Sequence, residues 1–358
     1  MAASRPCDVS SAHPKEARMK FGLYSSIASP PRGEHIDRCI DEVIAEAQLA
    51  ESCGFDSCFF GEHHQDTDGF LPSPLIVATA VAARTRTLRV GTSVILLPLH
   101  HPVHLAEDAI TLDLVSRGRL VIGVGIGYQP ADFRAFSVPM DERLARFEES
   151  VEILRLCWAG EPFSFRGKHY DLEDVRIMPR PYQKSGPPLW IGASVAAAAR
   201  RAGRIADGFV GTPSTSMENA TALATVYKDA AREAGRPAHV VQMRDAWVAS
   251  TRAEAEAVYG PHVMAAYKYY WDNKLAEFRS IPAGTPFTLQ NLAPDRLVLG
   301  DPETCVREFH RWQEAIGAET FLLRFRHAHS GGPPHEKIVE AIKLFGERVI
   351  PHCREVAR

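Results

Sequence analysis

The sequence predicts an α/β protein, a single (β/α)8 barrel of the TIM type with insertions at its C-terminal mouth. Three observations carry that prediction. Eight short apolar or β-branched runs alternate with amphipathic helical stretches from Lys20 to the end. The runs are near-continuously apolar instead of alternating, as expected of parallel strands covered on both faces. The length, 358 residues, would suit two or three ordinary domains, but α/β barrels with insertions commonly exceed ~250 residues as one unit. Eight alternations favour closure over an open doubly wound sheet.

The strand candidates are Lys20–Ser25, Ser57–Gly61, Leu88–Leu97, Arg119–Gly125, Pro188–Gly192, Asp207–Gly211, Val240–Ala249 and Thr320–Phe325. Ser73 and Pro74 supply a cap and a first-turn proline for a helix over Leu75–Ala83. The stretch Asp141–Trp158 places Leu144, Phe147, Val151 and Leu154 on one helical face, and Gly160 then stops it. Ser216 opens a helix running to Gly235, and Glu336–Val349 forms the closing helix before Pro351. Residues 1–18 carry Pro6 and Pro14 but no apolar segment, so they read as a disordered extension ahead of a barrel over 19–358.

Two connections are longer than a barrel needs. Trp158 to Pro188 holds Phe163, Phe165, Tyr170 and Tyr182 among turn residues and reads as a small β-excursion. The insertion at about 251–302 holds a helical stretch with Tyr267, Tyr269, Tyr270 and Trp271, then the Pro/Gly-rich stretch Ile281–Pro294. An insertion after a strand sits at the mouth where barrel chemistry is built, so a substrate lid is one reading. An aromatic face packed on the barrel or on a second subunit is the other.

Composition narrows the function classes. Hydrophobic residues make up 45% and charged residues 24%, which suits a large core. A net charge of −3 sets up no field for nucleic acid or anionic lipid. No run of about 18 uncharged apolar residues offers a membrane span. The seven cysteines are scattered without a CxxC pair, as expected of reduced thiols in a cytoplasmic protein.

Four segments could carry chemistry. Glu62-His63-His64 follows the second strand directly, at the end where barrel active sites lie, and histidine suits proton transfer near neutrality. His100, His101, His104, Glu107 and Asp108 look metal-like, yet they lead into a helix start at Pro102, where carboxylates are favoured anyway. We expect no metal. Gly123-Val124-Gly125-Ile126-Gly127 ends the fourth strand without the GxGxxG fingerprint; its glycines admit a flat ring or phosphate, or else serve tight core packing. Gly192-Ala193-Ser194-Val195 is a strand-to-helix junction whose free N–H groups and Ser194 hydroxyl offer a phosphate seat, with Ser194 as a plain N-cap the competing role.

In this order, these pieces resemble the bacterial luciferase family of flavin-dependent monooxygenases. Met19-Lys20-Phe21-Gly22 looks like the start of a luciferase α subunit, and Glu62-His63-His64 matches the EHH motif. Val90-Gly91-Thr92, Leu97-Pro98 and His101-Pro102 match the third strand and the segment after it. Ala106-Glu107-Asp108, Ser116-Arg117-Gly118-Arg119 and Asp132-Phe133-Arg134 come next at matching intervals. The resemblance implies His63 as the catalytic base or as the residue that stabilises the oxygenated flavin. It implies a non-prolyl cis peptide at Ser93-Val94 under the flavin ring, and the phosphate-contacting serine at Ser194. Two positions depart: the family's phosphate-binding arginine is Ile126 here, and the glutamate before the serine is Ala193.

The cofactor is expected beside Glu62, Ser93, Val94, Gly125, Ile126, Gly127, Ala193 and Ser194, and the substrate beside Tyr128, Tyr270, Trp271 and His327. The implied activity is oxygenation of a small organic substrate by reduced FMN and O₂. A separate flavin reductase would supply the FMN, and the chain would work as a homodimer. The alternative is hydride transfer with the deazaflavin F420, whose enzymes share the fold and the strand-4 glycines. A non-catalytic flavin-binding paralogue stands third, and the presence of His63 argues against it.

Overall fold

Runs rich in Val, Ile, Leu and Phe have no face to give to water, so they pair side by side and collect helices around them. The computed structural model describes residues 18–355 apart from 274, 280 and 283, and the expected extension over residues 1–18 lies, save Arg18, outside the described residues. Within them eight parallel strands close into a barrel. They are β1 (Lys20–Ser25), β2 (Ser57–Phe60), β3 (Arg89–Thr92), β4 (Leu120–Gly125), β5 (Leu189–Gly192), β6 (Gly208–Gly211), β7 (Val240–Val248) and β8 (Thr320–Arg326). Each pairs with its neighbours in sequence, and β8 closes on β1 from Lys20↔Thr320 to Tyr24↔Arg324. No described helix is long and apolar enough to cross a membrane.

The helices stand close to where periodicity puts them. They are α1 (Ile36–Ser52), α2 (Pro74–Arg84), α3 (Pro102–Ser116), α4 (Arg143–Ala159), α5 (Ala196–Ile205), α6 (Met217–Glu233), α7 (Arg252–Asp272), α8 (Pro302–Ile316) and α9 (His335–Leu344). Gly160, in the left-handed region, stops α4, and the Ser216 hydroxyl accepts from the Asn219 amide at the start of α6. The β-excursion is the antiparallel hairpin Phe163–Arg166 and Asp171–Val175. The closing helix runs further than read: α9 ends at Leu344, a wider turn of the π type covers Phe345–Val349, and a last α-helical turn, Ile350–Arg354, takes in Pro351.

Two differences matter for the site. The run Leu88–Leu97 is not one strand, because the cis peptide Ser93–Val94 separates β3 from the two-residue stretch Ile95–Leu96. A further strand, Leu297–Gly300, lies inside the expected loop and pairs in parallel with the far end of β7, from Asp245↔Leu297 to Val248↔Gly300.

Side chains fill the barrel interior. Tyr24, Phe59, Val121, Trp190, Val210, Val241, Met243 and Leu322 form one buried cluster, in which the rings of Phe59 and Trp190 stack at 5.1 Å between strands that are not neighbours in the sheet. Such packing closes the lumen and leaves chemistry to the rim. At Gly91 a β-carbon would lie 2.1 Å from the Val121 carbonyl oxygen, so β3 and β4 approach closely only because glycine stands there.

On the β7–β8 side the rim holds a buried ion pair. Asp245 and Arg324 stand opposite in register, with Nε and Nη2 of Arg324 donating to the two carboxylate oxygens at 2.6 and 3.0 Å. Helix α7 caps this pair. Tyr267 donates to Asp245 at 3.0 Å, Arg324 donates to the Tyr270 hydroxyl at 2.9 Å, and Tyr259 donates to the Arg324 carbonyl oxygen. Tyr259, Tyr267 and Tyr270 are buried, so this part of the insertion is a wall packed on the barrel.

Removing one member of a buried pair strands the other charge without a partner, at a cost of about 3–5 kcal/mol. Asp245→Ala is therefore expected to lose stability of that order in denaturant unfolding, whereas the double variant Asp245→Leu/Arg324→Met loses less. A single variant as stable as the parent would show that the pair does not hold α7 to the barrel.

Candidate active site

The loop after β2 builds most of the site. Glu62 is fully engaged: Oε1 accepts from Nε2 of His64 and Nε2 of His100, both at 2.8 Å, and Oε2 accepts from the Leu96 amide at 2.6 Å. Burial opposes its ionisation, but the histidine hydrogen bonds and that amide outweigh burial and hold its carboxyl at about 2. The Glu62 amide in turn donates to the Val94 carbonyl oxygen at 3.2 Å. Glu62 acts as a brace: with both oxygens taken, it ties the loops after β2 and β3 together.

His63 points elsewhere. Its ring lies against Phe70, centroids 4.2 Å apart, and Nδ1 faces Oδ2 of Asp66 at 3.5 Å. Gln65, between them, sits in the left-handed region at φ 60°, which bends the chain so that Asp66 returns to His63. Asp68 is buried and occupied: its carboxylate accepts from the amides of Phe70 and His329. The His329 ring stacks on Tyr269 at 3.5 Å, which joins this loop to α7.

The strand ends beyond are shaped by Val94. A β-carbon at Gly125 would meet the Val94 side chain at 2.6 Å, and one at Gly192 would meet it at 2.9 Å. The glycine at 125 makes room for the residue after the cis peptide. Ser93 is buried, and its hydroxyl donates to the Met243 sulfur at 3.3 Å. Ile126 packs half-buried on the core, and Gly127 takes φ +77° beside Phe133. Ala193 is buried and Ser194 half-buried at the start of α5. The N-cap of α5 is Val195, and no side chain caps it, so Ser194 does not act as the N-cap.

The expected substrate wall divides. Tyr128 is exposed, and Trp271 is half-buried against Phe278 and Phe287. Tyr270 is committed to Arg324. His327 is set back completely: it is 0% exposed, and its Nε2 donates to the Tyr259 hydroxyl at 2.7 Å. Burial first, and then Arg324, push its pKa down to about 3, so it is a neutral interior residue and not a pocket wall. The metal-like histidines diverge, His100 to Glu62, His101 edge-on to Tyr170, and His104 to Asp108 on the surface at 3.8 Å. Sequence reasoning missed Asp66 and Asp68, although an aspartate three residues after the candidate base was there to be seen.

Comparison with known proteins fits this geometry. A family model described as luciferase-like monooxygenase matches residues 19–319. An F420-dependent glucose-6-phosphate dehydrogenase of Microbacterium testaceum is 30% identical over 334 residues, 88% of this chain and 94% of its own. An alkanal monooxygenase alpha chain of Photorhabdus laumondii is 26% identical over 361 residues, 95% of this chain and 99% of its own. The crystal structure of monooxygenase RslO1 from Streptomyces bottropensis superposes with a TM-score of 0.81 at 28% identity, covering 93% of this chain and 99% of that one.

The state of Glu62 has a measurable consequence. A carboxyl depressed on folding contributes stability above its unfolded value, near 4.5, and loses it as pH falls towards about 2. At about 1.4 kcal/mol per pKa unit the contribution is on the order of 3 kcal/mol. Glu62→Gln is expected to be less stable than the parent at pH 7 and to lose less further stability between pH 5 and pH 3. Parallel stability–pH curves for the two proteins would refute the brace.

Proposed function

The chain belongs to the luciferase-like monooxygenase family, and on that premise we propose that it oxygenates a small organic substrate with reduced FMN and O₂. The observation that carries this reading is the His63 imidazole at the barrel rim, pinned by Phe70 and Asp66, one residue from the amide that holds the Ser93–Val94 segment. The likeness to RslO1, a monooxygenase, supports oxygen chemistry in particular.

The residues fit a flavin phosphate at the start of α5. Its first-turn amides have no side-chain cap and no acidic neighbour in that turn, the Ser194 hydroxyl stands beside them, and Thr212 on the adjacent strand end has a buried Oγ1 without a partner among the described residues. Neither Ile126 nor Ala193 brings charge, so backbone N–H groups and hydroxyls would hold the phosphate. Reduced FMN, when bound, supplies the electrons that activate O₂. The chain's own part is to seat the ring against Val94, with Ser93, Gly125 and Gly127 beside it, and to hold or move a proton at His63 Nε2. Tyr128 and Trp271 wall the substrate, and α7 keeps water from the β7–β8 side.

A flavin reductase would deliver the FMN by diffusion in the cytoplasm. Ile76 of α2, 72% exposed, and Leu114 and Val115 of α3 are exposed apolar side chains of the kind a homodimer would cover. Hydride transfer with F420 is the second reading, favoured by the dehydrogenase relative that matches 88% of the chain.

Titration with reduced FMN and with reduced F420 separates the two, and tight binding of F420 alone would overturn the first. His63→Ala is expected to lower turnover by roughly 10²–10⁴-fold and to spare cofactor binding. Ser194→Asp places a like charge at the phosphate and is expected to raise the cofactor Kd strongly; an unchanged Kd would put the phosphate elsewhere. Phe287, from the Pro/Gly-rich stretch, serves in this reading as part of a flap over Trp271. Phe287→Ala removes its contact with that ring, so more hydrogen peroxide should be released per reduced FMN consumed. An F420 enzyme would lose substrate affinity and release none.

A further inference from the structure

Four histidines and three carboxylates meet around the loop after β2, and they pair off, His100 sharing Glu62 with His64. His64 belongs to Glu62 at 2.8 Å. His329 belongs to Asp68, which accepts its backbone amide at 2.8 Å and lies 3.6 Å from its Nδ1. His63 and Asp66 remain, with Nδ1 and Oδ2 3.5 Å apart and both side chains mostly covered, 22% and 15% exposed. The Asp66 Oδ2 is buried and makes no hydrogen bond. The histidines acting on Asp66 are His63, His329 and His64, the last two held by other carboxylates, and the acidic groups that face it are Asp132, Tyr128 and Tyr269.

We propose that Asp66 is a positioning residue for His63. It fixes the imidazole as the Nδ1–H tautomer and turns a bare Nε2 towards the reacting atoms. This rests on the reading of His63 as the proton-handling residue. A buried carboxylate with a free lone pair is costly unless a donor faces it, and the Nδ1–H group supplies one. The backbone takes an unfavoured conformation to bring the two together, since Gln65 is in the left-handed region without being glycine. The separation is longer than a good hydrogen bond, and catalytic contacts of this kind commonly tighten only when reactants bind. Phe70 restricts the ring on its flat side, so Asp66 has only the tautomer and the edge left to choose. A base needs that choice: with the proton on Nε2 the lone pair would face Asp66 and not the substrate.

The test combines a spectrum with kinetics. In long-range nitrogen-15 NMR of the full chain, the His63 ring is assigned by its loss in His63→Ala. The proton should sit on Nδ1 in the parent and in Asp66→Glu. Asp66→Asn can donate its amide to Nδ1, so it should move the proton to Nε2 and lower kcat by roughly 10²–10³-fold, with the cofactor Kd unchanged. Asp66→Glu should recover most of that loss. An Nε2–H parent, or an Asp66→Asn variant with unchanged tautomer and kcat, would overturn the proposal. Absence of turnover with either cofactor in the parent would instead overturn the functional reading, because the spectrum decides the role of Asp66 without it.

Discussion

Two full charges inside a protein hold a structure together only if every hydrogen-bonding direction around them is met, and the Asp245–Arg324 pair imposes that demand on the whole β7–β8 rim. The carboxylate uses one strand's register to reach the guanidinium and Tyr267 to complete its shell. Arg324 uses Tyr270, and its carbonyl oxygen uses Tyr259. These three tyrosines come from one helix, so α7 has a single seat on the barrel. His329 then stacks on Tyr269 of the same helix, and Asp68 holds the His329 amide. Through this chain of contacts a charge pair between two strands reaches the loop that presents His63.

On the opposite side of the mouth, beside the Glu62 brace, fitted space adds to charge. Val94 projects from the cis peptide into a gap that exists because positions 125 and 192 have no side chains. Tyr24 is accommodated in a similar way, since a β-carbon at Gly61 would meet its hydroxyl at 2.2 Å. Burial pushes that phenol well above its ordinary range, so Tyr24 stays a neutral member of the interior. The mouth thus has a rigid polar half and a tightly fitted half, and His63 stands where the two meet.

The barrel was legible because its strands are apolar on both faces and its helices begin at Pro74, Pro102 and Ser216, each a local signal. The break at Ser93–Val94 was not legible from periodicity, since Leu88–Leu97 reads as one apolar run; only the family resemblance pointed to it. Leu297–Gly300 was hidden because four residues amid Pro and Gly carry too little pattern to announce a strand. Tertiary partners of the site residues were not legible. No local pattern announced that His64, His100 and Leu96 would take the Glu62 oxygens, or that the fold would bury His327 beneath Tyr259. His63 needed no distant partner to be noticed, because its place at a strand end already marked it.

The Leu297–Gly300 strand pairs with the same stretch of β7 from which the insertion departs, and the Ala249 amide donates to the Gly300 carbonyl oxygen at 3.0 Å. The two ends of the insertion are therefore clamped side by side, whatever lies between them. Lengthening a loop whose ends are already joined costs little, about 0.6 kcal/mol for each doubling. The connection between α7 and this clasp can therefore change in length or sequence at little cost to the barrel, provided the three tyrosines that complete the Asp245–Arg324 shell stay in place. The clasp thus separates what the barrel must keep from what the connection is free to vary.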